Sequence, residues 1–437
     1  MQLASNDTIF AVASGQTRSA VCVIRISGPQ SRFVLETLAG TGAPEPRRLA
    51  LRTLREPHSG EPIDQALIAW MPGPRSFTGE DQAELQIHGG LAVRAAMLRA
   101  LSDMPGCRPA EPGEFTRRAF LNGRMDLSRV EGLADLIDAE TEAQRRQAVR
   151  QLEGELGRAT EHWRETLLQA LALMEAALDF SDEGDVPDHL EAEAVGLVRM
   201  ARDMIQSNLA DRRGERLRDG FVVVLAGPPN AGKSTLINAL AKRDVAIVSP
   251  IAGTTRDPIE VRCDLGGLPV TFVDTAGLRD SDDPIEREGV ARARARAAAA
   301  DLTLWLVPPE GGESPCEITA AQLTVATKAD IAVSGECDLA VSAKTGAGIW
   351  ELLRRIEDEA RRQLGAGDAV ITRERHRRAL ERARDSCDRA LGLMSSGTPE
   401  LMAEEIRLAV RAIGEITGRV DVEDVLDRLF ATFCIGK

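Results

Sequence analysis

The residues best suited to chemistry lie just past the middle of the chain. Gly227-Pro228-Pro229-Asn230-Ala231-Gly232-Lys233-Ser234 matches G-x-x-x-x-G-K-[ST] and directly follows a strand-like run, Phe221–Ala226, which is the context the motif requires. The two glycines let backbone amides curl around phosphate oxygens at a helix N-terminus, where the helix dipole favours negative charge. Lys233 then reaches the β- and γ-phosphates, and the Ser234 hydroxyl is suited to ligate Mg²⁺. Downstream, Asp274-Thr275-Ala276-Gly277 follows the strand Val270–Val273, which sets a carboxylate at a strand end for the metal shell and a glycine amide for the γ-phosphate. Between them, Gly253-Thr254-Thr255-Arg256-Asp257 offers Thr255 as a switch threonine. Either short motif alone is weak; their order and spacing after a P-loop make them strong.

A base-reading loop follows. Thr327-Lys328-Ala329-Asp330, after the strand Leu323–Ala326, occupies the place of N-K-x-D, and Asp330 can accept from guanine N1 and N2, a donor pair that adenine lacks. Ser342-Ala343-Lys344 fits the next loop, whose backbone amide contacts O6. These residues disfavour an ATP-dependent P-loop protein. Thr327 departs from the pattern, and no other loop supplies the missing residue, because the last Asn of the chain is Asn238. A hydroxyl is shorter than a carboxamide and carries one donor, so guanine binding weaker than with an Asn loop is expected. Leu278 stands where many GTPases carry the Gln that orients the attacking water, so another group must do that work.

These loops need a scaffold, and the chain is long enough for several cores: 437 residues suggest about three domains. Residues 1–120 alternate short strand-like runs (Ile9–Ala13, Val21–Ile26, Leu67–Trp70, Ala83–Ile87) with helical stretches (Ser31–Leu38, Leu91–Ser102), which predicts an α/β or α+β domain. Residues 121–217 read as helical, with Asp182–Pro187 as the only strong interruption. Residues 218–368 form the P-loop domain, and 369–437 turn helical again through Arg373–Met394 and Met402–Ile416. The arrangement predicted is an α/β domain inserted between two helical arms. The Ala/Arg run Ala291–Ala300 reads as one amphipathic helix.

Composition narrows the function. A net charge of −14 supplies no global field for nucleic acid, so RNA contact must use local patches, and the absence of Tyr with 3% aromatics disfavours a base-stacking platform. Arg373, Arg375, Arg377, Arg378, Arg382 and Arg384 form one candidate patch, against the alternative of a solvated helix face. Seven widely spaced cysteines without a C-x-x-C pair argue for free thiols in a reducing compartment. With neither a signal peptide nor an 18-residue apolar stretch, a cytoplasmic protein without a membrane partner is expected.

Asn230 in the P-loop, the Gly253–Asp257 loop, Asp274-Thr275-Ala276-Gly277-Leu278-Arg279 and the terminal Phe433-Cys434-Ile435-Gly436-Lys437 resemble the bacterial tRNA uridine-5-carboxymethylaminomethyl modification GTPases. In the first domain, Arg25-Ile26-Ser27-Gly28, Ser76-Phe77-Thr78-Gly79-Glu80-Asp81 and Pro112-Gly113-Glu114-Phe115 extend the resemblance over essentially the whole chain. It implies a multidomain α/β and α fold with an N-terminal α+β folate-binding domain, a helical domain and an inserted Ras-like G domain. It also implies a homodimer, an FAD-dependent partner protein in a heterotetramer, tRNA as substrate, and 5-formyl- or 5,10-methylene-tetrahydrofolate as one-carbon donor. The product would be an aminomethyl-type group at C5 of the wobble uridine.

Carried over residue by residue, the resemblance makes Asn230, Ala231, Gly232, Lys233, Ser234, Thr235, Ser249, Thr254, Thr255, Asp274, Thr275, Ala276, Gly277, Thr327, Lys328, Asp330, Ser342, Ala343 and Lys344 the GTP site. Ser234 and Thr255 would hold Mg²⁺, while Asn230, Ser249, Ile251 and Thr254 would hold K⁺. Glu286 takes the water-orienting place, Lys233 and Cys434 complete the catalytic set, and Arg25, Glu84, Arg124 and Lys437 fall at the folate site, Arg124 where the family often has Lys. A K⁺ held by Asn230 could replace an arginine finger. Cys434 to Lys437 has the length of a prenylation signal, but Gly436 and a terminal Lys argue against one. The competing class is a regulatory GTPase of ribosome assembly without RNA chemistry; such proteins usually append an RNA-binding module, and no G-x-x-G in a KH-like setting follows the G domain.

Overall fold

The computed structural model describes residues 7–15, 17–179, 189–243, 246–247, 260–274, 300–311, 321–333, 335–365, 368–393, 398–420, 423–431, 433 and 436. The chain divides into two compact units, residues 1–134 with 413–437 and residues 135–412.

The first unit is built on six strands, β1 (Thr8–Val12), β2 (Val21–Ser27), β3 (Ala50–Arg55), β4 (Pro62–Met71), β5 (Gln82–His88) and β6 (Cys107–Pro109), in the order β3-β4-β5-β2-β1-β6. Every pairing is antiparallel except β1 with β6. Helices α1 (Ser31–Ala39) and α2 (Leu91–Ser102) contribute Val34, Leu35, Leu38, Met97 and Leu101 to a core shared with Ile24, Ile26, Leu85 and Ile68 of the sheet. On the alternate side, Ile9 and Ala11 of β1 pack with Phe115 of α3 (Glu114–Leu121) and with Phe77, as the two-residue period of a strand requires. The sequence reading found every strand of this sheet except the short β6 and the edge strand β3, whose Ala-Leu-Arg-Thr-Leu-Arg is half exposed and carries no clean alternation. The C-terminal end of the chain belongs to this unit. Gly436 has φ +101°, and a Cβ there would lie 2.2 Å from the Val12 carbonyl oxygen, so only glycine allows this approach.

The second unit holds six further strands, β7 (Phe221–Ala226), β8 (Glu260–Leu265), β9 (Leu268–Asp274), β10 (Leu302–Val307), β11 (Ala321–Ala326) and β12 (Leu339–Ala340), in the order β12-β11-β10-β7-β9-β8. All neighbours are parallel except the β8–β9 hairpin. Phe-Val-Val-Val-Leu-Ala of β7 reads as a continuous apolar run because a central parallel strand is covered on both faces. Among the described helices, α4 (Leu127–Asp138) runs from the first unit into the second, followed by α5 (Glu142–Leu152), α6 (Glu155–Asp179), α7 (His189–Leu209), α8 (Arg213–Asp219), α9 (Lys233–Ala241), α10 (Ile349–Leu364) and α11 (Glu374–Leu393). Helix α12 (Pro399–Thr417) returns to the first unit, which α13 (Glu423–Ala431) completes. Helix α10 buries Ile349, Leu352, Leu353, Ile356, Ala360 and Leu364, an i, i+3, i+4, i+7 stripe against the sheet.

The expectation of a helical stretch broken only at Asp182–Pro187 is corrected. Thr141 and Gln144 form a reciprocal capping box that starts α5, and Gly154 at φ +86° separates α5 from α6. Residues 182–187 and most of Ala291–Ala300 lie outside the described residues. No helix among the described residues is long and apolar enough to cross a membrane.

Candidate functional site

Strand β7 ends at Ala226, and the loop 227–232 turns the chain into α9, as the spacing predicts. Gly227 sits at φ +150° with a would-be Cβ 2.6 Å from the Leu306 carbonyl oxygen of β10, so the loop runs against the neighbouring strand without room for a side chain. Asn230 and Gly232 take left-handed conformations at φ +61° and +88°. Successive turns of this kind point amides to one side, which is how a backbone holds an anion. Lys233 opens α9, 9% exposed, and its ammonium donates to the carbonyl oxygens of Gly227 (2.9 Å) and Pro228 (3.0 Å).

The parallel pairing of β7 with β9 brings Asp274, at the end of β9, beside the P-loop: Leu225 is its register partner. The Ser234 hydroxyl donates to Asp274 Oδ2 at 2.7 Å, and Asp274 is 2% exposed. Two hard oxygen donors, one in the first turn of α9 and one at the end of β9, therefore meet. Ser249, Ile251, Thr254, Thr255, Thr275, Ala276, Gly277, Leu278 and Glu286 lie outside the described residues.

The base-reading side is also assembled by strand order. Strand β11 follows β10 in the sheet, and β10 follows β7, so the loop after β11 lies near the P-loop. Thr327 is buried, and its hydroxyl donates to the carbonyl oxygen of Ala231 at 2.7 Å, with a longer contact of 3.4 Å to Val307. The side chain at this place therefore ties the loop to the P-loop. Lys328 takes φ +53°, Asp330 Oδ1 accepts the Ser342 hydroxyl at 2.6 Å, and the Ala329 amide donates to the Val341 carbonyl at 3.1 Å. The Ser342 hydrogen bond, aided by the charge of Lys344, holds the exposed Asp330 carboxyl below the usual carboxylate range, so it is ionised and acceptor-only at neutral pH. Thr327-Lys328-Ala329-Asp330 and Ser342-Ala343-Lys344 thus form one structure.

In the first unit, Arg25 and Glu84 are register partners on β2 and β5, and both Nε and Nη2 of Arg25 approach Glu84 Oε1 at 3.3 Å. The guanidinium lies over the rings of Phe77 (5.3 Å) and Phe115 (5.9 Å). Arg124 runs its aliphatic stem past Gly79, whose would-be Cβ lies 3.2 Å from Arg124 Cγ. Cys434 and Lys437 lie outside the described residues, but Phe433 is buried and Gly436 meets Val12, the residue after Ala11, which pairs with Arg25.

A charge network went unread in the sequence. Arg118 Nη2 donates to Glu114 Oε1 (3.0 Å) and Asp7 Oδ1 (2.8 Å), its Nη1 approaches Glu80 (3.2 Å), and Arg108 donates twice to Glu114 (2.6 and 2.8 Å). Burial works to raise the Glu114 carboxyl, but hydrogen bonds from Arg108, the Glu111 amide and Arg118 outweigh it and hold the group below its ordinary value. The motifs Ser76–Asp81 and Pro112–Phe115 supply Glu80 and Glu114, but only the fold makes them neighbours. The arginine patch reads differently as well. Arg377 is buried against Glu215 and the carbonyls of Leu209 and Asp211, Arg373 pairs with Asp135, and Arg378 and Arg384 pair with Glu374 and Asp385. The patch is not a free cationic surface.

Comparison with known proteins places this geometry. Residues 8–124 match the GTP-binding protein TrmE N-terminus and residues 127–434 the MnmE helical domain. A tRNA modification GTPase MnmE of Methylobacterium sp. (strain 4-46) is 63% identical over 440 residues, covering 99% of this chain and 100% of that protein. One from Methylorubrum populi is 62% identical over 436 residues, covering 99% of this chain and 98% of its own. A crystal structure of Aquifex aeolicus Era bound to GDP.AlF4- aligns at 26% identity with 32% of this chain and 56% of its own, at a TM-score of 0.24. With identity of this order over the full length of both relatives and with family models matching residues 8–124 and 127–434, the chain belongs to the MnmE family of tRNA modification GTPases.

Proposed function

We propose that the protein hydrolyses GTP to drive modification of C5 of the wobble uridine in certain tRNAs, acting as a homodimer with an FAD-dependent partner and a tetrahydrofolate one-carbon donor. The observation that carries the GTPase half is the convergence of Ser234 with Asp274 on one side of the P-loop and of Thr327 with Ala231 on the other. Phosphate and base are thereby read by one rigid sheet end. The hydroxyl of Ser234 and the carboxylate of Asp274 are oxygen donors of the kind Mg²⁺ takes and would hold it there, where it would supply positive charge against the phosphates. Lys233 supplies a fixed cation, and Asp330 discriminates guanine by accepting from N1 and N2. Asn230, Ser249, Ile251 and Thr254 are proposed as K⁺ ligands, Ser234 and Thr255 as Mg²⁺ ligands, and Glu286 as the group that orients water.

For the modification half, Arg25, Glu84, Arg124 and Lys437 are proposed to hold the folate, which when bound supplies the one-carbon unit. The pairing of Arg25 with Glu84 above two aromatic rings suits a flat amphiphilic ring system. The approach of Gly436 to Val12, whose neighbour Ala11 pairs with Arg25, supports assigning the C-terminal tail to that site. We propose residues 1–120, 121–217, 218–368 and 369–437 as the functional segments, with the protein working in the cytoplasm. Nucleoside mass spectrometry of tRNA from cells lacking the protein tests the reading, with complementation by wild type, Ser234→Ala and Cys434→Ser. The modified wobble uridine should vanish and return only with wild type. Unchanged tRNA nucleosides alongside a ribosome-assembly defect would establish the regulatory alternative.

A further inference from the structure

The β8–β9 hairpin has two ends with different tasks. Its open end is continuous in the chain with both nucleotide-sensing segments: β8 follows the one carrying Thr255, and β9 ends in Asp274, which accepts the Ser234 hydroxyl. Its closed end is the Gly266-Gly267 turn, both residues at positive φ (+60° and +86°), locked by Asp264 Oδ1 accepting the Gly267 amide at 2.7 Å. That turn touches the helices of the same unit. The Gly267 carbonyl accepts the Ala143 amide at 3.0 Å, and Ala143 is in the first turn of α5, where an amide has no intrahelical acceptor. Thr141 caps the next amide, that of Gln144, so Gly267 completes the capping of α5 from the G domain.

A second contact reinforces the first: Arg262 of β8 donates to Glu140, just before the α5 cap, at 3.3 Å. Strand β9 is buried at all seven positions, from Leu268 to Asp274, so it does not flex independently of the sheet. Beside the junction lies a cavity of about 310 Å³ lined by Gln144, Gln147, Arg262, Pro269 and Thr271 among others.

We infer that the β8–β9 hairpin is a coupling lever, with the Gly267 carbonyl and Arg262 as positioning groups that transmit the nucleotide state sensed at Asp274 to the N-terminus of α5. The inference rests on the GTPase reading above. A shift of Asp274 is carried along a stiff strand to Gly267, and the gain or loss of one helix-capping bond sets how firmly the first turn of α5 is held. Neither positioning group touches nucleotide.

The test is hydrogen exchange of the full-length protein with GDP and with a non-hydrolysable GTP analogue, read at α5 and accompanied by calorimetry of both nucleotides. Wild type should show about a tenfold difference in α5 exchange between the two states. Ala143→Pro deletes the amide donor at a first-turn position that tolerates proline, and should reduce that difference to under about twofold while nucleotide affinity is kept. Arg262→Glu should do the same, and the swap Glu140→Arg with Arg262→Glu should restore it, which a merely destabilising change would not; this pair decides the matter if Ala143→Pro misfolds. Equal α5 exchange in the two states of wild type, or a difference that survives both variants, overturns the lever alone. Failure of wild type to bind guanine nucleotide overturns the GTPase reading and the lever with it.

Discussion

The contact most open to quantitative attack is the hydroxyl of Thr327. It is 4% exposed and donates at 2.7 Å to the Ala231 carbonyl, itself fully buried in the P-loop. Thr327→Val keeps shape and volume while deleting the donor, so no cavity forms and the cost is that of a hydrogen bond removed from a buried acceptor, about 1–3 kcal/mol. Part of that cost appears as stability, and a loss of 1 kcal/mol lowers Tm by about 2–4 °C for a unit of this size. The remainder appears in binding, because the bond fixes the base loop relative to the phosphate loop. A nucleotide that must order the two loops itself binds more weakly, by up to about 150-fold where the whole cost falls on binding. Calorimetry of GDP and GTP together with thermal melting, on wild type, Thr327→Val and Thr327→Ser, separates the two contributions. Serine keeps the hydroxyl and should stay within about threefold of wild type in affinity. Thr327→Asn should not tighten binding by improving the tether, since the tether already exists. If valine matches wild type in both affinity and Tm, the bond to Ala231 has no energetic role and the argument fails.

Four other outcomes are expected. Asp330→Asn should turn preference from GTP towards XTP, measured by competition binding. The depressed Asp330 carboxyl keeps its bond to Ser342 stabilising above the unfolded carboxylate value of about 3.9, and that contribution is lost only as pH falls through the lower folded value; an NMR titration of the carboxyl follows it directly. Hydrolysis should be faster in K⁺ than in Na⁺ at equal ionic strength, with the difference abolished in Asn230→Ala; a wild type indifferent to the cation would remove Asn230 from the K⁺ shell. Glu114→Gln leaves Arg108 and Arg118 short of a buried anionic partner and should destabilise the first unit by about 3 kcal/mol in urea unfolding, without lowering GTP affinity.

Where the sequence was legible, local rules were strong. The strand Phe221–Ala226 and helix α2 appear at the predicted bounds, because a run of β-branched residues and a long apolar period each leave one option. Helix α5 was hidden inside a longer helical pattern, since a capping box of Thr141 and Gln144 is a weak signal beside the hydrophobic period around it. The arginines at 373–384 could not be resolved from sequence for the opposite reason. A charge run looks alike in sequence whether its partners are water or, as for the buried Arg377, the half-buried Glu215 more than 150 residues away.

By itself the sequence determined which chemistry is possible: an anion-cradling glycine loop, a metal-side carboxylate, a guanine acceptor and the order in which they follow one another. Those are properties of residue type and short spacing, and they survive any arrangement of the distant chain. Only the tertiary structure decided which distant groups meet. Parallel pairing of β7 with β9 brings Asp274 to Ser234, strand order brings Thr327 to Ala231, the hairpin turn brings Gly267 to Ala143, and the first unit's sheet gathers Asp7, Glu80, Glu114 and Arg118 into one network. The physical reason is that such contacts depend on register and packing, where a shift of one residue in a strand turns every side chain to the other face.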